Sequence, residues 1–380
     1  MHIAIDLLIA EKEPGGMLFA TRALLEGLAR VDRVNDYTII TAQPQEYQAL
    51  APNMQVCPVM LPSQRALLIQ HQLALPDLLR KLRPTVLHVP TFAAPIGWHG
   101  PLVLTIHDLG FLTSPDQSSL YTRLYWQYLL RESVRRARCL IAVSGQTRSE
   151  LMQRWSVEQE RIHLIHNALR PALSPLDITA GETQIMKQRY GGKYLLHVGR
   201  IIPRKNVATL IEAFELLAAR FVDLQLVLAG GSGPGSEEVL QQIAASPYHA
   251  RIHQPGWVSD HNLRLLYAGA CALVFPSRYE GFGLPTLEAM ACGVPVVASP
   301  EAASAEIAGN AILRTECASP GMLADALFQV LTDPALRTYL IYRGQAQALT
   351  FNCEACAAAT LRVYEKAATQ DTPDSNTLPA

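Results

Sequence analysis

The chain has 380 residues, 49% of them hydrophobic and 17% charged, with a formal net charge of −1. That length and apolar content suggest two domains with separate cores, and the near-neutral balance gives no reason to expect nucleic acid as a partner. No apolar run reaches the ~18 residues of a membrane span, and the seven cysteines are scattered without metal-like spacing, which fits reduced thiols better than a disulfide framework.

The first ten residues lack the basic and small-residue flanks of a secretory signal, so a cytoplasmic protein is expected. Residues 2–8 form an apolar run of strand type, and residues 11–16 a polar turn ending in Pro14-Gly15-Gly16. Apolar residues then recur at helical spacing over 17–29. Strand, glycine turn, helix is the plan of a doubly wound sheet, whose ligands sit beyond the carboxyl ends of the strands. Further strands are expected at 37–41, 86–89, 103–106, 139–143 and 161–165, with helical patterns between most of them, which argues for a parallel α/β sheet.

His107 and Asp108 follow one of these strands. A neutral imidazole there can donate to a sugar hydroxyl or to a backbone carbonyl, and a purely structural histidine is the other reading. Residues 121–138, YTRLYWQYLLRESVRRAR, combine four aromatics with five arginines. They read either as a surface helix packed through Leu124, Leu129 and Val134, or as a face for an anionic membrane surface or lipid-linked acceptor.

Residues 171–177 bear prolines without periodicity and read as a linker between a first domain, 1–170, and a second, 178–350. The second opens with a strand at 194–198, then Gly199-Arg200-Ile201-Ile202-Pro203-Arg204-Lys205-Asn206 and a helix over 207–220. Arg200 and Lys205 flank that turn, and fixed cations there offset charge on a departing diphosphate. A strand at 224–229 leads into the glycine turn from Gly230 to Gly235, which lacks the lysine and serine of an ATP-hydrolysing loop. Gly256-Trp257-Val258 forms another turn, with Asp260 expected as the N-cap of the next helix. Cys353 and Cys356 have C-x-x-C form without a second pair and are read as packing.

From the end of a strand at 272–275 through the next at 294–298 runs FPSRYEGFGLPTLEAMACGVPVVAS, residues 275–299. Gly281-Phe282-Gly283 makes a turn, and Leu284, Pro285 and Thr286 open a helix, Pro285 suiting its first turn. Unpaired N–H groups and the positive end of the helix dipole then make an anion site. Glu280 and Glu288 bracket it. Carboxylates repel phosphate but accept strongly from hydroxyls, so the stretch asks for a nucleotide sugar, with ribose or sugar hydroxyls on either side of a diphosphate.

This stretch resembles the E-x7-E signature of the group-1 glycosyltransferases (glycosyltransferase family 4), retaining enzymes of the GT-B fold. The resemblance implies two Rossmann-like, doubly wound parallel-sheet domains facing each other across a cleft. It assigns the carboxyl-terminal domain to the donor and the amino-terminal one to the acceptor, with a helix at about 353–368 packing back on the first domain and a disordered tail at 369–380. In the same reading Gly16 lies beside the donor phosphates. His107 and Glu280 contact the transferred sugar, and Arg200 and Lys205 match the family's G-R-x4-K-N pattern and meet the leaving diphosphate. Trp257 and Val258 form the base-binding turn. Gly230 lines the donor site with Gly281, Phe282, Gly283, Leu284, Pro285 and Thr286, and Glu288 holds the ribose. His166-Asn167-Ala168 stands where the family often has Asn-Gly.

The expected activity is hexose transfer from a nucleotide sugar, GDP-mannose slightly favoured over UDP-sugars, to a glycan, lipid-linked or small-molecule hydroxyl. No metal or cofactor is expected, because the two cations can neutralise the diphosphate. The alternatives are an epimerase or phosphorylase on the same fold, or a noncatalytic nucleotide-sugar-binding subunit.

Overall fold

The computed structural model describes residues 1–12, 15–59, 71–110, 120–173, 179–300 and 303–369. Residues 174–177 of the expected linker and 370–380 of the expected tail lie outside them. The chain divides into two compact units, one running to Ala168 and resuming at Phe351, the other spanning Leu169 to Thr350.

In the first unit the strands are β1 (His2–Asp6), β2 (Asp36–Thr41), β3 (Met54–Pro58), β4 (Val86–Val89), β5 (Leu102–Ile106), β6 (Cys139–Ala142) and β7 (Ile162–Leu164). They form a parallel sheet in the order β3-β2-β1-β4-β5-β6-β7. Such a sheet is apolar on both faces because crossover helices cover both. Ile3 and Ile5 accordingly enter one core with Leu24, Leu25 and Leu28, while Ala4 between them enters another with Leu87, Leu104 and Leu130.

Helices α1 (Leu8–Lys12), α2 (Gly16–Val31), α3 (Leu75–Leu82), α4 (Leu120–Arg136) and α5 (Gly145–Trp155) connect these strands, and the last helix, Cys353–Thr369, packs on α2. Gly27 makes that packing possible, since a Cβ there would overlap the Cys353 carbonyl oxygen. Cys353 and Cys356 sit in this contact with Ala23 and Ala168, free and in a packing role.

The second unit contains β8 (Lys193–Val198), β9 (Leu224–Ala229), β10 (Ile252–Gly256), β11 (Ala272–Phe275), β12 (Val296–Ala298) and β13 (Leu313–Arg314). Their order is β10-β9-β8-β11-β12-β13, again parallel throughout. The helices are α6 (Ala180–Arg189), α7 (Val207–Ala218), α8 (Glu237–Ala245), α9 (Asp260–Gly269), α10 (Leu284–Ala291), α11 (Ala303–Ala308), α12 (Pro320–Thr332) and α13 (Pro334–Ala348). Phe214 of α7 and Leu327 of α12 anchor a core against Leu226, Leu228 and Val274.

Several local expectations are corrected. Residues 8–12 are helical rather than strand and turn, because the Asp6 carboxylate accepts from the Leu8 N–H at 3.1 Å and starts a helix there. The N-cap of α9 is Ser259, whose hydroxyl accepts from Asn262 N; Asp260 is the first helical residue. In α4, Leu129 and Val134 are buried but Leu124 is 54% exposed, so the packed stripe does not include it. Among the described residues no helix is long and apolar enough to cross a membrane.

Candidate functional site

In the second sheet β8 has β9 on one side and β11 on the other, so the strand order reverses between β8 and β11. A doubly wound sheet binds its ligands beyond the strand ends at such a point. Two segments emerge there: residues 199–206 after β8, and residues 276–283 after β11.

They meet through charge. Lys205 Nζ lies 2.5 Å from Glu280 Oε1 and Arg204 Nη1 lies 3.4 Å from the same oxygen. Arg204 also donates to the Tyr279 carbonyl at 3.1 Å, and Arg278 N donates to the Arg204 carbonyl at 2.9 Å, so the two segments are tied by backbone as well. Burial alone would raise the Glu280 pKa. Lys205 and Arg204 outweigh it, helped by the neighbouring Ser277 hydroxyl, and hold the carboxyl below its usual range. Lys205 also stands over the Phe275 ring, 4.7 Å from its centroid. Arg204, for which the sequence pattern offered no role, is thus part of the cluster.

Below it lies His197 of β8, fully buried and stacked on Phe275. Its Nδ1 faces the Val274 carbonyl at 3.1 Å and its Nε2 has no partner among the described residues. Burial, then the Lys205 charge, push its pKa down to about 4. The imidazole is therefore neutral at pH 7, and Nε2 carries an open lone pair.

The turn after Glu280 is shaped by glycine. Gly283 has φ 93°, and a Cβ on it would lie 2.6 Å from Ser304 Cβ. Helix α10 starts from this residue with Pro285 in its first turn, as the motif requires. The Thr286 N–H is not free for an anion, since it donates to the Gly283 carbonyl at 3.0 Å. Beside the turn stand two buried hydroxyls, Thr286 Oγ1 of α10 and Ser304 Oγ of α11, without partners among the described residues. Leu284 and Phe282 are buried against the turn, and Gly281 lies buried beside them.

The turns after β8, β9 and β10 pack on one another. A Cβ at Gly230 would overlap the Gly199 carbonyl, and Gly230 N donates to the Gly256 carbonyl at 2.9 Å. Arg200 is exposed at the start of the 199–206 turn, with its Nε near Gly233. Trp257 is 59% exposed just past β10, and Val258 beside it is half-buried.

Glu288 is not part of the Lys205 cluster. It lies in α10 at 3% side-chain exposure, and Arg170 grips its Oε1 through Nε at 2.8 Å and Nη2 at 2.7 Å. Oε2 accepts from the Tyr267 hydroxyl at 2.8 Å. The linker pattern puts Arg170 at the end of the first domain, but it falls in the second unit, buried at 6% exposure and making a second ion pair with Asp260 at 2.8 Å. Nothing in the residues around Arg170 signals this partnership, which joins positions 118 apart.

In the first unit, Gly16 opens α2 after an extended Gly15. His107 follows β5 and is bonded to the Pro90 carbonyl, while its Nε2 has no partner among the described residues. Burial pushes its pKa down to about 4. A cavity of about 20 Å³ is lined by His107, Thr21, Thr105 and Asn167, among others, room for about one water molecule. Behind it His88, absent from the sequence reading, bonds Thr105 Oγ1 at 2.9 Å and Tyr364 Oη at 2.7 Å, and burial pushes its pKa down to about 3. Of the basic-aromatic helix, Arg136 is spent on the Pro95, Ile96 and Trp98 carbonyls and Arg138 just beyond it on Ala367 O. Arg135 pairs with Glu132.

Two parallel doubly wound units, the second carrying a Lys-Glu pair and a glycine turn at its switch point, define a GT-B glycosyltransferase. Comparison with known proteins agrees. Residues 183–347 match the model for glycosyl transferases group 1, and residues 14–173 match the model for glycosyltransferase family 4. The O-antigen chain mannosyltransferase B of Escherichia coli is 32% identical over 291 residues, 76% of each chain. The MMP alpha-(1->4)-mannosyltransferase of Mycolicibacterium hassiacum is 28% identical over 286 residues, 70% of this chain and 66% of that one. Among solved structures, Anabaena Alr3699/HepE in complex with UDP and glucose superposes with a TM-score of 0.77 at 20% identity, covering 96% of this chain and 99% of that one. The chain belongs to the group-1 glycosyltransferases, family 4, and has mannosyltransferases among its relatives.

Proposed function

We propose that the protein transfers a hexose, mannose from GDP-mannose in first place, from a nucleotide sugar to an acceptor hydroxyl with retention of anomeric configuration. The observation that carries this is the Lys205–Glu280 pair at the switch point of the second sheet, with the buried hydroxyls of Thr286 and Ser304, which have no partner among the described residues. Buried polar atoms in native proteins find partners, and a diphosphate next to sugar hydroxyls supplies both kinds: acceptors for Lys205, Thr286 and Ser304, and donors for Glu280 and the open His197 Nε2.

Each residue then has a task. Lys205 and Arg200 meet the negative charge that grows on the departing diphosphate, with Arg204 holding Glu280 in place. A cation preorganised in a buried site stabilises that charge without reorganisation. Glu280 accepts from hydroxyls of the transferred sugar, Glu288 from the ribose, and the turn at Trp257 and Val258 meets the base. With these cations in place turnover needs no metal and continues in excess chelator. The mannosyltransferase relatives favour a mannosyl donor and a glycan acceptor in polysaccharide biosynthesis, whereas the neighbour solved with UDP and glucose keeps UDP-sugars in the test panel.

The test is release of nucleoside diphosphate from GDP-mannose and UDP-glucose with a panel of glycan acceptors, in EDTA and in Mn2+, with NMR of the product's anomeric proton. Acceptor-dependent turnover in EDTA with a retained α-anomer supports the proposal. Turnover that requires Mn2+ or gives the inverted anomer would overturn those parts of it.

A further inference from the structure

We infer that Arg170 is a positioning residue for nucleoside recognition, clamping Glu288 and bracing the turn that meets the base. The inference rests on the donor reading above and deepens it. Four contacts carry it. Arg170 presents two N–H groups to a single Glu288 oxygen at 2.7–2.8 Å and a third to Asp260 at 2.8 Å, while Tyr267 holds the other Glu288 oxygen at 2.8 Å.

A carboxylate has about four acceptor positions. Three are occupied here, and both oxygens are pinned, so Glu288 has one fixed direction left in which to accept a hydroxyl. A free glutamate on a helix would lose rotamer freedom on binding ribose. The clamp removes that loss in advance. The other end of Arg170 reaches Asp260, the first residue of α9 after the Ser259 cap. The residues before that cap are Trp257 and Val258. One guanidinium therefore links the carboxylate proposed for the ribose to the helix whose entry turn is proposed for the base.

Stability alone is a poor reason for such an arrangement. A buried ion pair is often no better for folding than a packed apolar substitute, and Arg170 pairs with two acids where one would neutralise it. Lysine cannot replace this two-donor grip with a third N–H on Asp260, because an ammonium is a point donor without the planar fork.

The experiment is calorimetric titration of wild type, Arg170→Lys, Glu288→Gln and Tyr267→Phe with three probes: GDP, 2′,3′-dideoxy-GDP and inorganic pyrophosphate, with UDP and its dideoxy form in place of the guanine pair if wild type prefers uridine. Arg170→Lys should weaken GDP binding about tenfold or more and leave pyrophosphate affinity within about twofold. It should also abolish most of the wild-type preference for GDP over dideoxy-GDP. Glu288→Gln should show the same pattern and Tyr267→Phe a weaker version of it. Donor KM should rise with kcat little changed. A penalty of equal size on all three probes would make Arg170 a structural residue and overturn the inference, as would wild-type affinities in Arg170→Lys. If wild type binds neither GDP nor UDP, the donor reading fails and this inference with it. Should Arg170→Lys not fold, Tyr267→Phe alone decides: an unchanged preference for GDP over dideoxy-GDP counts against the clamp.

Discussion

Lys205 and Glu280, 75 positions apart, form a 2.5 Å ion pair with each side chain at most 10% exposed. Neither charge is stable there alone, because burial penalises an uncompensated ion by several kcal/mol. The two segments beyond β8 and β11 are therefore fastened to each other by the groups proposed to act on the donor.

Breaking this pair from one side should cost more than removing it. Lys205→Met leaves the Glu280 carboxylate buried beside Arg204 only and should destabilise the fold by about 3 kcal/mol. The double variant Lys205→Met/Glu280→Gln should recover at least half of that. Urea denaturation of the two variants at pH 7 measures the difference. Because the folded Glu280 pKa is depressed, its stabilising share is present at neutral pH and is lost as pH falls through that lowered value. The penalty of Glu280→Gln should accordingly shrink on acidification below the ordinary carboxylate range.

Acid should also attack through the histidines. His88 at about 3, His107 at about 4 and His197 at about 4 all bind protons less readily folded than unfolded. Between the ordinary imidazole value and these, the unfolded chain holds more protons. Each histidine's contribution is thus full above about pH 6.5 and is lost as pH falls towards about 4, at up to about 1.4 kcal/mol per pH unit. Urea midpoints measured from pH 8 to pH 4.5 should decline most steeply below pH 6.5, and His88→Gln should flatten that decline. A flat profile would mean that these rings are not buried neutral.

Two glycines separate fold from site. Gly27→Ala should destabilise the first unit by about 1–3 kcal/mol, because its methyl group would strike the Cys353 carbonyl of the helix packed on α2. Gly283→Ala should instead reduce donor turnover at least tenfold with a smaller loss of stability, since it must move either the φ 93° turn or Ser304. Thermal melts and initial rates of both variants distinguish the two effects.

The fold and one half of the site are local in the sequence, and those parts are legible there. Central strands such as β9 and β11 read as continuous apolar runs because both faces are covered. The strands that escaped notice, β3, β10 and β13, are sheet edges. They are half-exposed, and β10 carries Pro255, which an edge tolerates. The glycine turn, Pro285 and the two glutamates share one window and signal chemistry directly. The roles of Arg204 and Arg170 did not show, because each depends on a partner far along the chain: Arg204 on Glu280, Arg170 on Glu288 and Asp260. Charge type at a turn says that a cation is present, not which acid it meets. His88 was hidden for the same reason, its partners Thr105 and Tyr364 lying on another strand and on the last helix.

The central claim is that Lys205 acts on the leaving diphosphate, and a single comparison tests it most directly: donor dissociation constant and single-turnover rate for wild type and Lys205→Ala with GDP-mannose in excess EDTA. A cation whose partner charge grows in the transition state should, when removed, lower the rate about 10²–10³-fold while weakening donor binding by much less. Equal losses in binding and rate, or a rate unaffected by the substitution, would contradict it.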